Sequence, residues 1–262
     1  LFQEIWNRTQ SREALAYFYP RLQQYHRFLA GRLGSSTTAV LGSGLLKTWH
    51  YFYNSGGWDD YPPQVEVHRR SLEDRVTPVA NTAHAIRTAK ILAQMAEALG
   101  ETGDLPEYRA DVSAFRLALL RHAWDEESGY FGYVTHDEAG AAAGILRHES
   151  GANYDQGLDG LYPLVAGIGT DAQRAQMLGH LASRDEIFSP IGLSAVSQAI
   201  GLLNPGGILT VCVYPGHAEG ARERDALKRW AAALDPRYDA LWKRYLNQRN
   251  DPPELLAVRR KP

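Results

Sequence analysis

Two adjacent acidic residues follow a tryptophan in a glycine-rich segment, residues 54–64, which we call the first motif. It reads NSGGWDDYPPQ, so Asp59 and Asp60 stand between the aromatic residues Trp58 and Tyr61. Aromatic rings stack on the apolar faces of sugar rings, and a carboxylic acid that its surroundings keep protonated can deliver a proton to a glycosidic oxygen. These residue types therefore suit a site that binds and cleaves a sugar. The structural alternative is an Asp-Asp pair that only caps the next turn.

A second glycine-rich segment, residues 150–160, reads SGANYDQGLDG and is called here the second motif. Like the first, it combines amides, acids and an aromatic ring, and a predicted helix follows it directly. Tyr154 and Asp159 are therefore candidate substrate-binding residues, as are Trp58, Asp60 and Tyr61 of the first motif. The alternative for Asp159 is a carboxylate that only stabilises the N-terminus of the next helix.

Helices must position both motifs, since several stretches have apolar residues at the three- and four-residue steps of one helix face. The apolar positions of the first stretch are Leu15, Phe18, Leu22, Tyr25 and Leu29. Ser11 is its predicted N-cap, and Pro20 is expected to kink or restart it because proline has no amide hydrogen. Gly100 is the predicted stop of a later helix, and Thr170 with Gln173 forms a predicted capping box.

The connections between these helices are unusually long. Residues 34–80 contain the first motif, and residues 129–157 contain most of the second. Long ordered loops on a helical scaffold are where function concentrates. The sequence therefore predicts that the functional site lies in these loops.

The pattern changes near residue 198 from helices and long loops to strands and turns. Residues 208–214, ILTVCVY, form a β-branched apolar run typical of a strand buried on both faces, and Cys212 is expected to be buried in it. A helix over 221–234 and strands over 238–246 and 254–259 are predicted to follow. The expected order is strand, helix, strand, strand.

The charge divides at the same place. The 262 residues carry a net charge of -2, but residues 1–198 hold 17 basic and 23 acidic residues while residues 199–262 hold 11 and 7. The chain as a whole therefore has no electrostatic signature of a nucleic-acid or membrane partner. The only cysteine is Cys212, which favours a reducing, cytoplasmic location. Because the sequence begins with Leu1 inside a helix-like pattern, we expect a missing upstream part.

Residues from about 18 to 196 resemble the (α/α)6-barrel glycoside hydrolases of family 63 and the related mannosylglycerate-hydrolase-like group, with trehalases as more distant relatives. The matching segments, in order, are LKTWHYFY running into the first motif, HAIRTAK, AWDEESGYFGYV, GLDGLYPL and IGLS. Their order and separations agree as well as their residues. The resemblance implies an inverting hydrolysis of an α-linked glucoside or mannoside.

In that family, the aspartate at the position of Asp59 is the general acid, and Trp58 and Asp60 would line the sugar subsite. The family's glutamate base lies further along the chain, in a tyrosine- and tryptophan-rich region that has no counterpart in this sequence. About 200 residues also cannot form the roughly dozen helices of a closed toroid at about 11–12 residues each. We therefore expect a partial (α/α)6 toroid of helical hairpins and long loops, and a chain that is inactive alone.

The last part resembles the C-terminal part of small class I methyltransferases that use S-adenosylmethionine, of the kind described as rRNA methylases and tied to tRNA wobble-uridine modification. The segments that carry the resemblance are LLNPGGILTVCVYPGH and NQRNDPP. They imply a Rossmann-like α/β segment. The cofactor-binding half of such an enzyme precedes this segment and has no counterpart here, so no S-adenosylmethionine site is assigned. His217 is expected to be held by its own backbone turn, with an RNA-facing role as the alternative.

The sequence thus predicts two domains, a mainly helical glycoside-hydrolase-like domain over 1–197 and a methyltransferase-like segment over 198–262. Three functions stay open: a glycoside hydrolase, an RNA methyltransferase-like fragment, and a non-catalytic fusion of two fragments. The first is preferred because it covers most of the chain and contains the candidate catalytic residue Asp59. We expect an oligosaccharide or small glycoside as substrate, no cofactor, no metal, no membrane partner, and nucleic acid only through the C-terminal segment.

Overall fold

The computed structural model describes residues 2–48, 61–183, 186–189, 192–193, 203–245, 247 and 251–262. The chain divides into two compact units, residues 1–178 and 179–262. The predicted domain boundary at residues 197 and 198 lies outside the described residues and stays a prediction. Within the described residues, no helix is long and apolar enough to cross a membrane.

The first unit is mainly helical. Its helices are α1 (Phe2–Thr9), α2 (Arg12–Leu29), α3 (Pro62–Arg69), α4 (Val79–Leu99), α5 (Leu105–His122), α6 (Tyr162–Val165) and the start of α7 (Asp171–Ala182). Its strands are β1 (Val76–Thr77), β2 (Trp124–Asp125), β3 (Tyr130–Phe131), β4 (Val134–His136) and β5 (Ala142–Ile145). Strands β1, β4 and β5 form an antiparallel sheet in that order, and β2 pairs with β3.

Helix α4 packs against α2 and α5, and these three helices form the core of the unit. The buried residues that form this core are Leu15, Tyr19, Ala89, Leu92, Met95, Ala96, Leu105 and Tyr108. Three predicted caps are confirmed. The Ser11 hydroxyl accepts a hydrogen bond from the Ala14 amide, Gly100 ends α4 with a left-handed φ of 87°, and Thr170 and Gln173 exchange the hydrogen bonds of a capping box before α7.

Two features of α2 bear on its prediction. The helix runs from Arg12 to Leu29 without restarting at Pro20, since packing along its length stabilises it despite the missing amide hydrogen, and a kink at Pro20 stays a prediction. Tyr25, predicted to lie on the apolar face, is 54% exposed, whereas Tyr19 and His26 are buried. The buried face is therefore partly polar, because the partners of Tyr19 and His26 lie on the neighbouring helix α5 and its N-cap.

The second unit contains β6 (Phe188–Ser189), β7 (Gly192–Leu193), β8 (Ile208–Val213), α8 (Ala218–Ala232), β9 (Tyr238–Lys243) and β10 (Glu254–Arg260). Strand β10 lies between β8 and β9, and both pairings are antiparallel. This arrangement confirms the predicted order of strand, helix, strand, strand. A helical first unit and a small sheet in the second fit the predicted combination of a mainly α part with an α/β part.

Strand β8 is not buried on both faces, contrary to the expectation from its apolar run. Ile208 is 60% exposed and Cys212 is exposed, whereas Val213 is buried. Alternate residues of a strand point to opposite faces, so helix α8 covers one face of β8 and leaves Ile208 and Cys212 on the other. His217 is held by its own backbone as expected, because its Nδ1 accepts the Gly220 amide hydrogen at the start of α8.

Candidate functional site

The first motif enters the described part of the chain at Tyr61, directly before helix α3. Trp58, Asp59 and Asp60 lie outside the described residues, so their predicted roles stay predictions. Pro62 and Pro63 begin α3, where a proline costs no hydrogen bond because the first amide groups of a helix have no partner within it.

The Tyr61 side chain is buried and points into the protein. Its hydroxyl donates a hydrogen bond of 2.6 Å to Oδ1 of Asp155 in the second motif. This contact joins residues 94 positions apart in the sequence. It brings the two motifs together at the start of α3.

A second contact holds the same end of α3. Gln64 lies one helical turn after Tyr61 and is also buried, and its Nε2 donates to the Tyr133 hydroxyl at 3.1 Å. Tyr133 is buried and directly precedes β4. The first turn of α3 is therefore anchored at two positions.

Asp155 is held by a chain of polar contacts within the same unit. Its amide donates to Oδ1 of Asn153 at 2.9 Å, and Nδ2 of Asn153 donates to the Ser128 hydroxyl at 3.2 Å. The Ser128 hydroxyl donates to Oδ2 of Asp125 at 2.7 Å, and Nη2 of Arg147 donates to Oδ1 of Asp125 at 2.7 Å. The backbone at Asp155 is thereby tied to β2 and to the turn that follows it.

Two glycines permit this close packing. A Cβ atom at Gly160 would overlap the Asp155 carbonyl oxygen, and a Cβ atom at Gly132 would lie 2.9 Å from the Asn153 side chain. The Gly160 carbonyl also accepts the Phe131 amide hydrogen at 3.1 Å. The second motif therefore lies directly against β3, closer than a side chain at either glycine would allow.

The two aspartates of the second motif, Asp155 and Asp159, are fully buried. Burial, together with the negative charge of Asp159, raises the pKa of Asp155 well above its usual value. Burial raises the pKa of Asp159 to about 7. The Tyr133 hydroxyl opposes that rise, although neither carboxylate oxygen of Asp159 has a hydrogen-bond partner of standard geometry among the described residues. Burial therefore favours the protonated form of both carboxyl groups.

Tyr154 lies apart from this buried cluster. It is partly exposed, and its ring meets that of His148 edge to face with the ring centres 5.5 Å apart. The charged groups near its hydroxyl include Glu66 and Arg69 of α3. The structure describes three of the predicted site residues, Tyr61, Tyr154 and Asp159. It brings Tyr61 and Asp159 together in the buried cluster and places Tyr154 beside the charged face of α3.

Three residues of this cluster were not singled out from the sequence. Gln64 could have been found, because three residues after Tyr61 is the same face of a helix. Asp155 and Tyr133 carry no such signal. Their partners are distant in the sequence, and only the fold brings them together.

Comparison of the sequence with known protein families shows which family has these motifs. Residues 1–200 match the family of the mannosylglycerate hydrolase MGH1-like glycoside hydrolase domain. The chain belongs to this glycoside hydrolase family. The resemblance seen in the sequence is thereby confirmed, and both motifs and the buried cluster lie within the matched residues of the glycoside hydrolase domain.

A second match covers the other end of the chain. Residues 179–259 match the rRNA methylase family, which confirms the second resemblance. The two matches share residues 179–200, which include the end of α7 and the short strands β6 and β7.

Proposed function

We propose that the N-terminal part of this chain is a sugar-binding glycoside hydrolase site in which Asp59 acts as the general acid on an α-linked glucoside or mannoside. The observation that carries the proposal is the buried contact between Tyr61 and Asp155, which joins the two motifs within the family-matched residues. We assign Trp58, Asp60 and Tyr154 to contacts with the sugar. Tyr61 and Asp159 belong to the buried layer of the same site.

The proposed chemistry is an inverting displacement at the anomeric carbon. Asp59 gives its proton to the glycosidic oxygen as the bond from carbon to that oxygen breaks, and water attacks the opposite face of the ring with the help of a base. In inverting enzymes the two carboxyl groups stand roughly 6.5–9.5 Å apart to leave room for this water. The family's base region has no counterpart in the sequence, so we propose that the chain has the acid half of this machinery.

The proposal that the chain has the acid but not the base can be tested with azide. Azide can replace the attacking water, because it is already an anion and no base has to deprotonate it. We expect an alkyl α-glucoside or α-mannoside to be stable with the purified protein alone and to react when sodium azide is added. Azide forms a bond to the anomeric carbon, the carbon–oxygen bond breaks, and the proton of Asp59 goes to the leaving alcohol. The products are a β-glycosyl azide and the free alcohol, which mass spectrometry and NMR detect.

The Asp59→Asn variant is the matched control. It should fold with an unchanged circular dichroism spectrum and form no glycosyl azide, because an amide cannot supply the proton. Product formation that survives in Asp59→Asn would contradict the role of Asp59. Failure of the wild-type protein to bind or convert any glycoside in a broad panel of α-glucosides and α-mannosides, with or without azide, would contradict the proposal as a whole.

We also propose that the helices of the first unit are part of an (α/α)6 toroid and that the domain boundary lies at residues 197 and 198. The match of residues 1–200 to the glycoside hydrolase family supports both.

We assign no S-adenosylmethionine site to the described residues of the methylase-like part. The buried side-chain nitrogen and oxygen atoms that have no hydrogen-bond partner among the described residues all belong to the first unit, on residues such as His26, Gln64 and Asp159. In the described part of the second unit, no buried polar side-chain atom lacks a hydrogen-bond partner that a ligand could replace. We derive no reaction step through S-adenosylmethionine.

A further inference from the structure

Strand β9 lies at one edge of the three-stranded sheet in the second unit. Among the described residues it pairs only with β10, on one of its two sides. An edge strand presents backbone amide and carbonyl groups that can pair with another strand, and proteins commonly block this pairing with charged side chains. The charged residues of β9 are Asp239 and Lys243. Their placement therefore determines which strand the edge can accept.

The two charges lie symmetrically about the middle of β9. Asp239 comes two residues before Leu241 and Lys243 comes two residues after it, so the three side chains point to the same face of the sheet. Lys243 is exposed. Asp239 contacts Lys261 at 3.2 Å, but its side chain is 63% exposed. Both charges are therefore accessible to another strand, with the acid on one side of Leu241 and the base on the other.

A second copy of β9 complements this pattern. When two β9 strands lie antiparallel with their Leu241 residues opposite each other, Asp239 of each strand lies opposite Lys243 of the other. Opposite charges directly across an antiparallel pair stabilise it, and like charges destabilise it. A register shifted by two residues loses both ion pairs, and an in-register parallel arrangement places like charges side by side. The charges thus favour one register of one orientation.

Apolar surface lies at the centre of the same contact. Leu241 is opposite Ala257 of β10, and Ala257 is opposite Thr210 of β8, so these three residues form one row across the sheet. Leu241 is 66% exposed. Pairing of two β9 strands places the two Leu241 side chains beside each other and removes apolar surface from water.

The strand is already held in its extended form. On the opposite face of the sheet, the Trp242 indole donates a hydrogen bond to Glu254 of β10. Lys228 of α8 lies over the Trp242 ring, 4.9 Å from its centre. Because β9 is ordered before it meets a second strand, little backbone freedom is lost on pairing.

We propose that two copies of this chain associate through β9, with the strands antiparallel and Leu241 at the two-fold axis. The two three-stranded sheets then form one continuous sheet of six strands. The contact is closed, because both copies use the same residues. This interface does not rest on the proposed glycoside hydrolase function, since β9 lies in the part of the chain that matches the rRNA methylase family.

Charge reversal tests the pairing. Sedimentation velocity of the full chain over a wide range of concentrations should show a reversible equilibrium of monomer and dimer. We expect Asp239→Lys and Lys243→Asp each to weaken the dimer by at least about tenfold, because either change places like charges opposite each other at both symmetric positions. Asp225→Lys is the matched control, since it reverses an exposed charge on α8 and should leave the dimer unchanged.

A mixture of the two weakened variants separates pairing from local damage to the sheet. In a dimer of one Asp239→Lys copy and one Lys243→Asp copy, lysine again lies opposite aspartate at both positions. We therefore expect the mixture to dimerise as well as the wild-type protein. A change that merely disturbed β9 would not be rescued by mixing.

Cysteine cross-linking tests the register. In a Cys212→Ser background, Leu241→Cys should form a disulfide-linked dimer on mild oxidation, because directly opposite Cα atoms of antiparallel strands lie about 4.5–5.5 Å apart. Thr210→Cys is the matched control. It lies in the same row of the sheet but on β8, at the other edge, and should not form a cross-link.

The remaining outcomes also decide the matter. A wild-type protein that stays monomeric at every concentration would overturn the proposal, and so would a mixture of the two charge variants that fails to dimerise. Cross-linking of Thr210→Cys in place of Leu241→Cys would assign the interface to β8 and would overturn it as well. If a charge variant does not fold, cross-linking at Leu241 carries the test. None of these measurements depends on turnover, so the azide experiment is judged separately.

Discussion

At the scale of single residues, the buried carboxyl group of Asp159 makes stability depend on pH in an unusual direction. Its pKa rises from 3.8 to about 7 on folding, so the folded protein binds a proton more readily than the unfolded chain. The stability that this proton provides is complete below about pH 4 and is lost as the pH rises toward 7. Most acidic residues in folded proteins behave in the opposite way.

Asp159→Asn should therefore stabilise the folded protein more at high pH than at low pH. The free energy of unfolding of this variant minus that of the wild type should be more positive at pH 8 than at pH 5, by at least about 1 kcal/mol, roughly the equivalent of one pKa unit. Urea unfolding followed by circular dichroism at both pH values measures this difference. Glu138→Gln is the control, because Glu138 is 89% exposed, and its effect should be the same at both values.

The candidate site could be predicted from the sequence only in part. Tyr61 and Asp159 were singled out from residue types and spacing, since glycines, acids and aromatic rings cluster in two short motifs. The roles of Trp58 and Asp59 stay predictions, because both lie outside the described residues. The pairing of Tyr61 with Asp155 could not be predicted, because no spacing rule connects residues on different loops. The fold supplies that pairing through the packing of β3 against the second motif.

At the scale of elements, the polar contacts between α2 and α5 account for where the sequence prediction of α2 was wrong. His26 is buried, and its Nε2 lies 2.6 Å from Oδ2 of Asp111 on α5. Arg32, just beyond α2, donates to both oxygens of the same carboxylate at 2.6 and 2.8 Å. The helical periodicity of apolar residues could not predict that His26 is buried, because its burial depends on the hydrogen bond to Asp111.

Asp111→Asn should destabilise the protein strongly. Burial raises the pKa of Asp111, but the hydrogen bonds from His26 and Arg32 together outweigh it, so its pKa is lowered overall. Asparagine keeps only one acceptor oxygen and carries no charge, so the buried charge interactions with His26 and Arg32 are lost and one of their hydrogen bonds to residue 111 is broken; we expect a loss of about 3 kcal/mol at pH 7. Urea unfolding measures it.

The pH dependence checks the cause of this loss. A lowered pKa means that the carboxylate stabilises the fold above its unfolded value near 3.8 and that this stability disappears as the pH falls through the folded value. The difference between wild type and Asp111→Asn should therefore shrink below about pH 4. Glu97→Gln removes an exposed partner of Arg109 and should cost less than about 1 kcal/mol. An equally large loss in Glu97→Gln would contradict the importance of burial.

At the scale of the whole molecule, each of the two compact units has buried apolar residues of its own, and the chain matches two different families. The core of the first includes Leu119 on α5, and that of the second includes Val258 on β10. The prediction of two domains rested on charge and periodicity, because helical and strand patterns differ strongly, and its boundary at residues 197 and 198 stays a prediction. The sequence could not predict the exposed face of β8, since an apolar run looks the same whether one or both faces are covered.

We predict that the two units unfold separately, because each buries apolar residues of its own. Leu119→Ala should remove about 2–5 kcal/mol from the first unit by leaving a cavity, and Val258→Ala should weaken only the second by the same mechanism. Hydrogen–deuterium exchange of the full chain in low urea resolves the two effects. Exchange of α4 and α5 should accelerate in Leu119→Ala while β8 and β10 keep their wild-type rates, and the reverse should hold in Val258→Ala. If either substitution accelerates exchange equally in both units, the chain unfolds as one cooperative body, and the prediction of separate unfolding is wrong.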